Sequence, residues 1–537
     1  MMTKRKHIIA SIIVNTISLI CILMCVCLYR HRIIRKFNAV TEKTIVELNM
    51  SEEDKLNDFN YLFDCISSSV PADTLDELNN LYNIDFVERH DTYVEMIKAT
   101  ETDLEFFAVM CAIIEDIPTF HTDLLYPDYE YYKTIDCWNI DNVLDTRYVN
   151  SKAVYWNTLL KEECSEYFNS SLEYYTYSYD SSNGNYISDS EEILLEINGN
   201  SIDSYVEETS PNPIVYDFIN KKAYRKWFDF YAEPYSDTFS QKCTIKIQND
   251  SGRVYERTVY RDITSDVLNH YAKALGVRKS ENTDKTVNNQ PFYSFCDTEN
   301  DVLYMNIAQM TYLSMSDIPA VLKASDNENI IIDLRNNVGG YFSNVEKLLY
   351  PYLYNYDIKI NNTWYMPDTK YTKKLVRASK KELDFKKSSD GAENYLICED
   401  IITLKGNAET KSRNIYVLIS EKTASASDGM VAALKENNAA VIIGTNTAGE
   451  GKMSSFLADS FSASGLVFIY MPELAYNSDG SNNAVYGTAP DIYVQESSFD
   501  EDDFIGEDPY VYENRLKWDN VLIETLELIK EKEQQKG

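Results

Sequence analysis

The chain has 537 residues, 44% hydrophobic and 13% aromatic, enough for about three globular units at ~150 residues each. That excludes a single small module and a globally disordered chain. Lys plus Arg number 51 against 85 Asp plus Glu, a net charge of −34, so the surface repels phosphate backbones and nucleic acid is excluded as a general partner.

The basic residues are unevenly placed. Residues 1–36 carry Lys4, Arg5, Lys6, Arg30, Arg32, Arg35 and Lys36 and no acid. Between these flanks Ile8–Tyr29 is free of charge, and a helix of ~20 apolar residues spans a bilayer core. The run is longer than the apolar region of a cleaved signal peptide and has no small-residue cleavage site, so residues 1–37 predict an uncleaved single-pass membrane anchor. Basic residues on both sides leave its orientation open. Of the ten cysteines, Cys21, Cys25 and Cys27 fall in this span; the other seven are widely spaced with no C-x-x-C pair. That spacing argues against a zinc site or a dense disulfide framework, and no metal or cofactor is expected.

Residues 38–150 carry apolar positions at helical spacing, as in Phe106, Phe107, Met110, Ile113 and Ile114, and predict a helical cap domain. Within 151–275, Glu191–Ile202 reads as strand, Asn-Gly turn and strand, and the segments around Asn249–Gly252 read as a second strand pair. A small β domain with a helical insertion between the two pairs is expected. From residue 276 to 500 strands alternate with helices, which favours an α/β core with crossover connections, interrupted by a polar excursion over 357–412. Residues 501–537 read as an acidic loop followed by an amphipathic helix.

Two strand-to-helix turns in this core carry chemistry. The first is Ile415–Ser420 running into Thr423-Ala424-Ser425-Ala426-Ser427-Asp428. Ser425 and Asp428 have the spacing of a capping box, which is the bland explanation for the pair. The second is a strand ending in Arg335-Asn336-Asn337-Val338-Gly339-Gly340, where paired glycines leave backbone N–H groups unobstructed. Exposed amides beside a hydroxyl at neighbouring strand ends are what an oxyanion hole requires.

Together with VLYMNIAQM before them and GTAPDIYV after them, these blocks resemble the serine peptidases that include the carboxyl-terminal processing (tail-specific) proteases and the tricorn core protease. The resemblance covers roughly residues 300–495. It implies a ClpP/crotonase-like core of β-α superhelical layers, a Ser425 nucleophile, and an oxyanion hole from the backbone of Ala426 and of Gly339 or Gly340. EEILLEINGNSI similarly resembles part of a PDZ domain, without its Gly-rich carboxylate loop. The implied substrates are polypeptides, with an exported catalytic part on the outer side of the cell membrane.

Members of this family activate the serine with lysine or with histidine. Where the processing proteases have lysine between two glycines, this chain reads Thr447-Ala448-Gly449-Glu450-Gly451, with Lys452 beyond it. Histidine is the alternative. His7 and His31 flank the membrane segment, while His90 and His270 read as surface or packing residues. His121 follows an apolar helix as His121-Thr122 and resembles the block of the histidine-using branch, which makes it the expected general base. The acid expected before the G-x-x-P-D-I block is missing; Asp479 is the nearest upstream carboxylate, equally explicable as a turn residue. The leading expectation is a membrane-anchored serine endopeptidase. The alternative, prompted by the missing acid and lysine, is a catalytically impaired relative that binds peptides.

Overall fold

A computed structural model describes residues 48–82, 85–117, 119, 121–127, 129, 147–169, 174–180, 185–188, 190–202, 204–205, 214–217, 222–225, 227–236, 238–272, 290–373, 386–387, 395–453, 457–497, 504 and 507–536. Ile8–Tyr29 lies outside them; among the described residues no helix is long and apolar enough to cross a membrane.

Hydroxyl caps start two of the N-terminal helices. Ser51 and Asp54 form a capping box at α1 (Glu52–Ser69), and Thr102 and Glu105 another at α4 (Asp103–Glu115); α2 (Ala72–Tyr82) and α3 (His90–Ala99) lie between. Each box satisfies amides that a helix start leaves unpaired. α4 is apolar nearly all round, with Phe106, Phe107, Val109, Met110, Ile113 and Ile114 buried, so it forms the centre of the cap rather than one of its faces. After α4 the chain forms a two-residue strand, β1 (Asp123–Leu124). The next helix, α5 (Arg147–Asn169), crosses the boundary expected at residue 150. Trp156, Leu160 and Cys164 of α5 join the core of the cap, so the β domain begins near residue 174.

That domain is a seven-stranded sheet in the order β3-β2-β8-β10-β9-β4-β5. Its strands are β2 (Tyr174–Asp180), β3 (Asn185–Ser188), β4 (Ile193–Ile197), β5 (Asn200–Ser201), β8 (Trp227–Tyr231), β9 (Ser240–Gln248) and β10 (Val254–Asp262); β6 (Ile214–Asp217) and β7 (Lys222–Arg225) form a separate hairpin. The pairings in the sheet are antiparallel. Between the two strand pairs the described residues are helical at Ile202 and Ser204–Tyr205 and then form the strands β6, β7 and β8. Phe228 and Phe230 alternate into the core on β8, a period of two that suits a half-buried strand. Helix α6 (Ile263–Ala272) then leads out of the domain.

The catalytic-type core is a six-stranded sheet, β11 (Phe292–Asp297), β12 (Val302–Ile307), β13 (Asn329–Asp333), β17 (Asn414–Ile419), β18 (Val441–Gly444) and β21 (Ile492–Tyr493), adjacent in that order. β11 is antiparallel to β12 and the rest run parallel. Both faces are covered, as a parallel sheet requires. On one, Leu303, Met305, Ile330, Ile332, Ile415 and Val417 pack with α7 (Ile318–Ala324) and α8 (Ala426–Glu436). On the other, Tyr304, Ile331, Tyr416 and Leu418 pack on α9 (Asn520–Lys536). The 357–412 excursion holds β14 (Ile358–Pro367), β15 (Lys386–Lys387) and β16 (Tyr395–Leu404). Between β18 and β21, β19 (Leu457–Ser460) and β20 (Val467–Tyr470) form a hairpin, and β1 adds to β20. That pairing attaches the cap to the core.

Candidate active site

The strand β17 ends in a turn that places Ser425 immediately before α8. Ser425 has φ 53° and ψ −124°, and its side chain makes no capping bond. This is left-handed backbone that an L residue adopts at a cost of ~1–3 kcal/mol. The surrounding bonds hold it there: Ser425 N–H donates to Gly449 O (2.9 Å), Ala424 N–H to Asn337 O (3.1 Å) and Ser427 N–H to Ala424 O (3.1 Å). The capping box is therefore not formed. Ala426 is the first residue of α8, so its amide has no acceptor within the helix.

The glycine turn packs directly on the serine. A Cβ on Gly339 would fall 2.7 Å from Ser425 Cβ and 3.1 Å from Ala426 N, so only glycine permits this approach. The two glycine amides differ. Gly339 N–H donates to Asn337 Oδ1 (3.0 Å), whereas Gly340 is exposed and its N–H has no partner among the described residues. The turn is pinned from the other side by Met310, whose N–H donates to Gly339 O (2.7 Å) and whose carbonyl accepts from Tyr341 N–H (2.9 Å).

Asp428 does not cap α8 but reaches across to the loop after β18. It accepts from Thr447 Oγ1 (2.5 Å), Gly451 N–H (2.9 Å) and Asn483 Nδ2 (2.9 Å) and is fully buried. Helix and loop cross so tightly that a Cβ on Gly451 would lie 1.9 Å from Gly429 N. Thr447 N–H donates to Thr488 O and Thr488 N–H to Thr447 Oγ1, which ties in the GTAP block. The loop so held carries Glu450, with φ 61° and its side chain fully buried.

The partner of that carboxylate is His121: Glu450 Oε2 meets the imidazole Nδ1. His121 reaches it because β1 pairs with β20, Asp123 opposite Ile469 and Leu124 opposite Phe468, with Leu125 N–H donating to Val467 O (2.8 Å). Its side chain is 13% exposed. Sequence reasoning placed Glu450 at the lysine position but did not connect it with His121. Its signal was the T-A-G-E-G block, an acid between glycines in a loop with no turn role to explain it.

Other predicted positions lie elsewhere. Asp479 is exposed and accepts from the N–H (2.9 Å) and Oγ (2.6 Å) of Ser481; it is a turn residue, and the acid beside His121 is Glu450. Lys452 is paired with Glu436 at the end of α8. His90 is 3.1 Å from Asp91 and stacks edge-on against Phe63. His270 is on α6. Below the serine turn, Arg335 forms a buried cluster: its guanidinium donates to Asp333 (2.6 Å), Asp519 (2.6 Å) and Glu496 (2.9 Å), and Tyr304 OH donates to Asp333 (2.6 Å). Among the described residues no group of His, Cys, Asp and Glu is arranged to hold a metal ion.

The description of peptidase family S41 matches residues 301–494, the span that holds the five parallel strands of the core sheet and the Ser425, Gly339–Gly340 and Glu450 turns. No curated protein matches. Among solved structures, mature CPAF complexed with lactacystin is 14% identical, over 83% of this chain and 94% of that one, with a TM-score of 0.47. A putative peptidase from Parabacteroides merdae is 10% identical over 90% and 97%, TM-score 0.43. The photosystem II D1 C-terminal processing protease is 13% identical over 83% and 94%, TM-score 0.34. The protein is a serine-type peptidase. Residues 301–494 belong to peptidase family S41.

Proposed function

We propose that the protein is a membrane-anchored serine endopeptidase that cleaves exported or unfolded polypeptides with Ser425 as nucleophile, His121 as general base and Glu450 as the acid that orients the base. The observation that carries this reading is the contact of the Glu450 carboxylate with His121 Nδ1, on a loop whose Gly449 carbonyl accepts the N–H of Ser425. A carboxylate on Nδ1 fixes the tautomer in which Nε2 takes a proton. Ser425 Oγ attacks the peptide carbonyl as its proton passes to Nε2. The developing oxyanion is stabilised by the N–H groups of Gly340 and Ala426. The imidazolium then protonates the leaving amine, and water, deprotonated by the same imidazole, hydrolyses the acyl-enzyme.

The antiparallel domain over 174–262 serves as a PDZ-like module that engages substrate strands, by analogy with the family. Ile8–Tyr29 anchors the chain, with the catalytic bulk outside the cytoplasm. Protease added to intact cells then digests the bulk; its full protection would contradict that side. For the chemistry, the detergent-solubilised full chain should hydrolyse an unfolded polypeptide, and Ser425→Ala should not. A parent protein inert on varied substrates would favour the peptide-binding relative instead.

A further inference from the structure

We infer that Asn337 is a positioning residue that decides which glycine amide serves the oxyanion and locks that amide to the nucleophile turn. This rests on the serine reading above. Asn337 is fully buried at the start of the glycine turn, and its polar atoms are shared between the two halves of the site. Oδ1 accepts from Gly339 N–H (3.0 Å) and from Ser427 Oγ (2.5 Å). Nδ2 donates to Ile307 O at the end of β12 (2.9 Å), and its backbone carbonyl accepts the N–H of Ala424, the residue before Ser425 (3.1 Å).

One side chain thus joins β12, the glycine turn and the first turn of α8. The consequence for chemistry lies in the amides. With Gly339 N–H committed to Oδ1, the peptide group that follows is set by Gly339 at φ 107° and Gly340 at φ 136°, and Gly340 N–H remains to pair with Ala426 N–H. Without the side chain, the Gly339 amide competes for the oxyanion in a geometry that Met310 does not support. The Gly-Gly link becomes free to rotate about its soft torsions. Preorganisation, rather than any contact with substrate, is what Asn337 supplies.

The residue type matters at both ends. Aspartate preserves the acceptor for Gly339 N–H and Ser427 Oγ but loses the donor to Ile307 O and brings negative charge towards the developing oxyanion. Alanine loses all three side-chain bonds. Ser427→Ala removes one donor to Oδ1 and keeps the rest, so it should fall between wild type and Asn337→Ala.

The test uses the full chain with Asn337→Ala, Asn337→Asp and Ser427→Ala, measuring kcat and KM separately on one peptide. It also measures affinity for a peptide boronate, whose tetrahedral adduct carries the oxyanion's charge, and for the corresponding peptide alcohol. Loss of one oxyanion donor costs roughly 10²–10³ in kcat. The expected result for Asn337→Ala is a kcat loss of that order with KM within about threefold, and boronate affinity falling in parallel with kcat while alcohol affinity stays. Ser427→Ala should lose on the order of tenfold or less.

An unchanged kcat, or a loss in which boronate and alcohol affinities fall together with the melting temperature, would overturn the Asn337 role and leave the serine reading standing. Hydrolysis that survives Ser425→Ala in the same assay would overturn the serine reading itself, and the role with it.

Discussion

Two buried assemblies of charge lie at the ends of the core strands, and they are built in opposite ways. Arg335 is enclosed by Asp333, Asp519 and Glu496, with Arg515 and Tyr304 completing the set, and its members come from β12, from β13 and the turn after it, and from segments packed against the sheet. Glu450 and His121 come from regions 329 residues apart in sequence, brought together where β1 pairs with β20 and the cap packs on the β19–β20 hairpin. In the first, Arg335, Asp333 and Asp519 each have several partners and none of the members has positive φ. In the second, positive φ recurs at Ser425 and Glu450, a cost the surrounding bonds must offset. Positive φ also occurs at Asn49, Glu191, Asn198, Asp301 and Asn438, so it is the coincidence of strain with a carboxylate–imidazole contact that sets the second assembly apart.

Removing one member from each assembly sharpens that contrast. Ser425→Ala should lower hydrolysis by on the order of 10⁵–10⁶-fold, and His121→Ala by a similar amount, because such residues fail as a unit. Glu450→Gln should cost roughly 10²–10⁴-fold, since the imidazole remains but its tautomer is no longer imposed. All three should keep the melting temperature close to that of the parent. Single-turnover assays paired with thermal melts separate the two readouts.

Arg335→Ala should do the reverse. Leaving Asp333 and Asp519 buried without their cation should cost about 3–5 kcal/mol, seen as a lower denaturation midpoint, while the molecules that remain folded still react with a serine probe. Burial pushes the Asp333 and Asp519 carboxyls up, but the Arg335 guanidinium outweighs it and holds both below the usual carboxylate range. Lowered carboxyl pKa values contribute stability that is complete above the unfolded value of ~3.9 and lost as pH falls through the folded value. In the parent this contribution should therefore be constant near neutrality and be lost only below pH ~4, whereas in the variant, where burial acts without the guanidinium, the two carboxyls take up protons at higher pH and the gap narrows from there.

The smallest effects belong to residues outside both assemblies. Lys452→Ala should leave kcat within about tenfold, because the ammonium is committed to an ion pair with Glu436. Asp479→Ala, at an exposed turn, should change stability by no more than ~0.5 kcal/mol and activity not at all. A selective loss of kcat in Lys452→Ala would point to the lysine mechanism and dissolve the contrast between the assemblies.

What could be read from the sequence follows from how local each feature is. The parallel strands are continuous apolar runs, and the turns at Gly339–Gly340 and Thr423–Ser427 carry their own small residues, so core and serine turn were legible. His121 was singled out by its block, and the structure sets it against Glu450. Glu450 was not singled out as its partner, because their contact depends on a two-residue strand added to a distant hairpin, and proximity to the final block pointed to Asp479 instead. Strand β8 was not singled out although Phe228 and Phe230 alternate in it, and α5 was assigned to the β domain although Trp156, Leu160 and Cys164 pack in the core of the cap. The capping box at Ser425 and Asp428 has the right spacing, but Ser425 has a positive φ and makes no capping bond while Asp428 is bonded to Thr447, Gly451 and Asn483, which no spacing rule reveals.

The central claim is that Ser425 is activated by His121 held by Glu450. The measurement that tests it most directly is the rate and site of labelling of the solubilised full chain by a fluorophosphonate, mapped by peptide mass. The account predicts one adduct per chain, at Ser425, absent in Ser425→Ala and slowed by roughly 10³-fold or more in His121→Ala. Labelling of another residue, or a His121→Ala variant that reacts as fast as the parent, would contradict it.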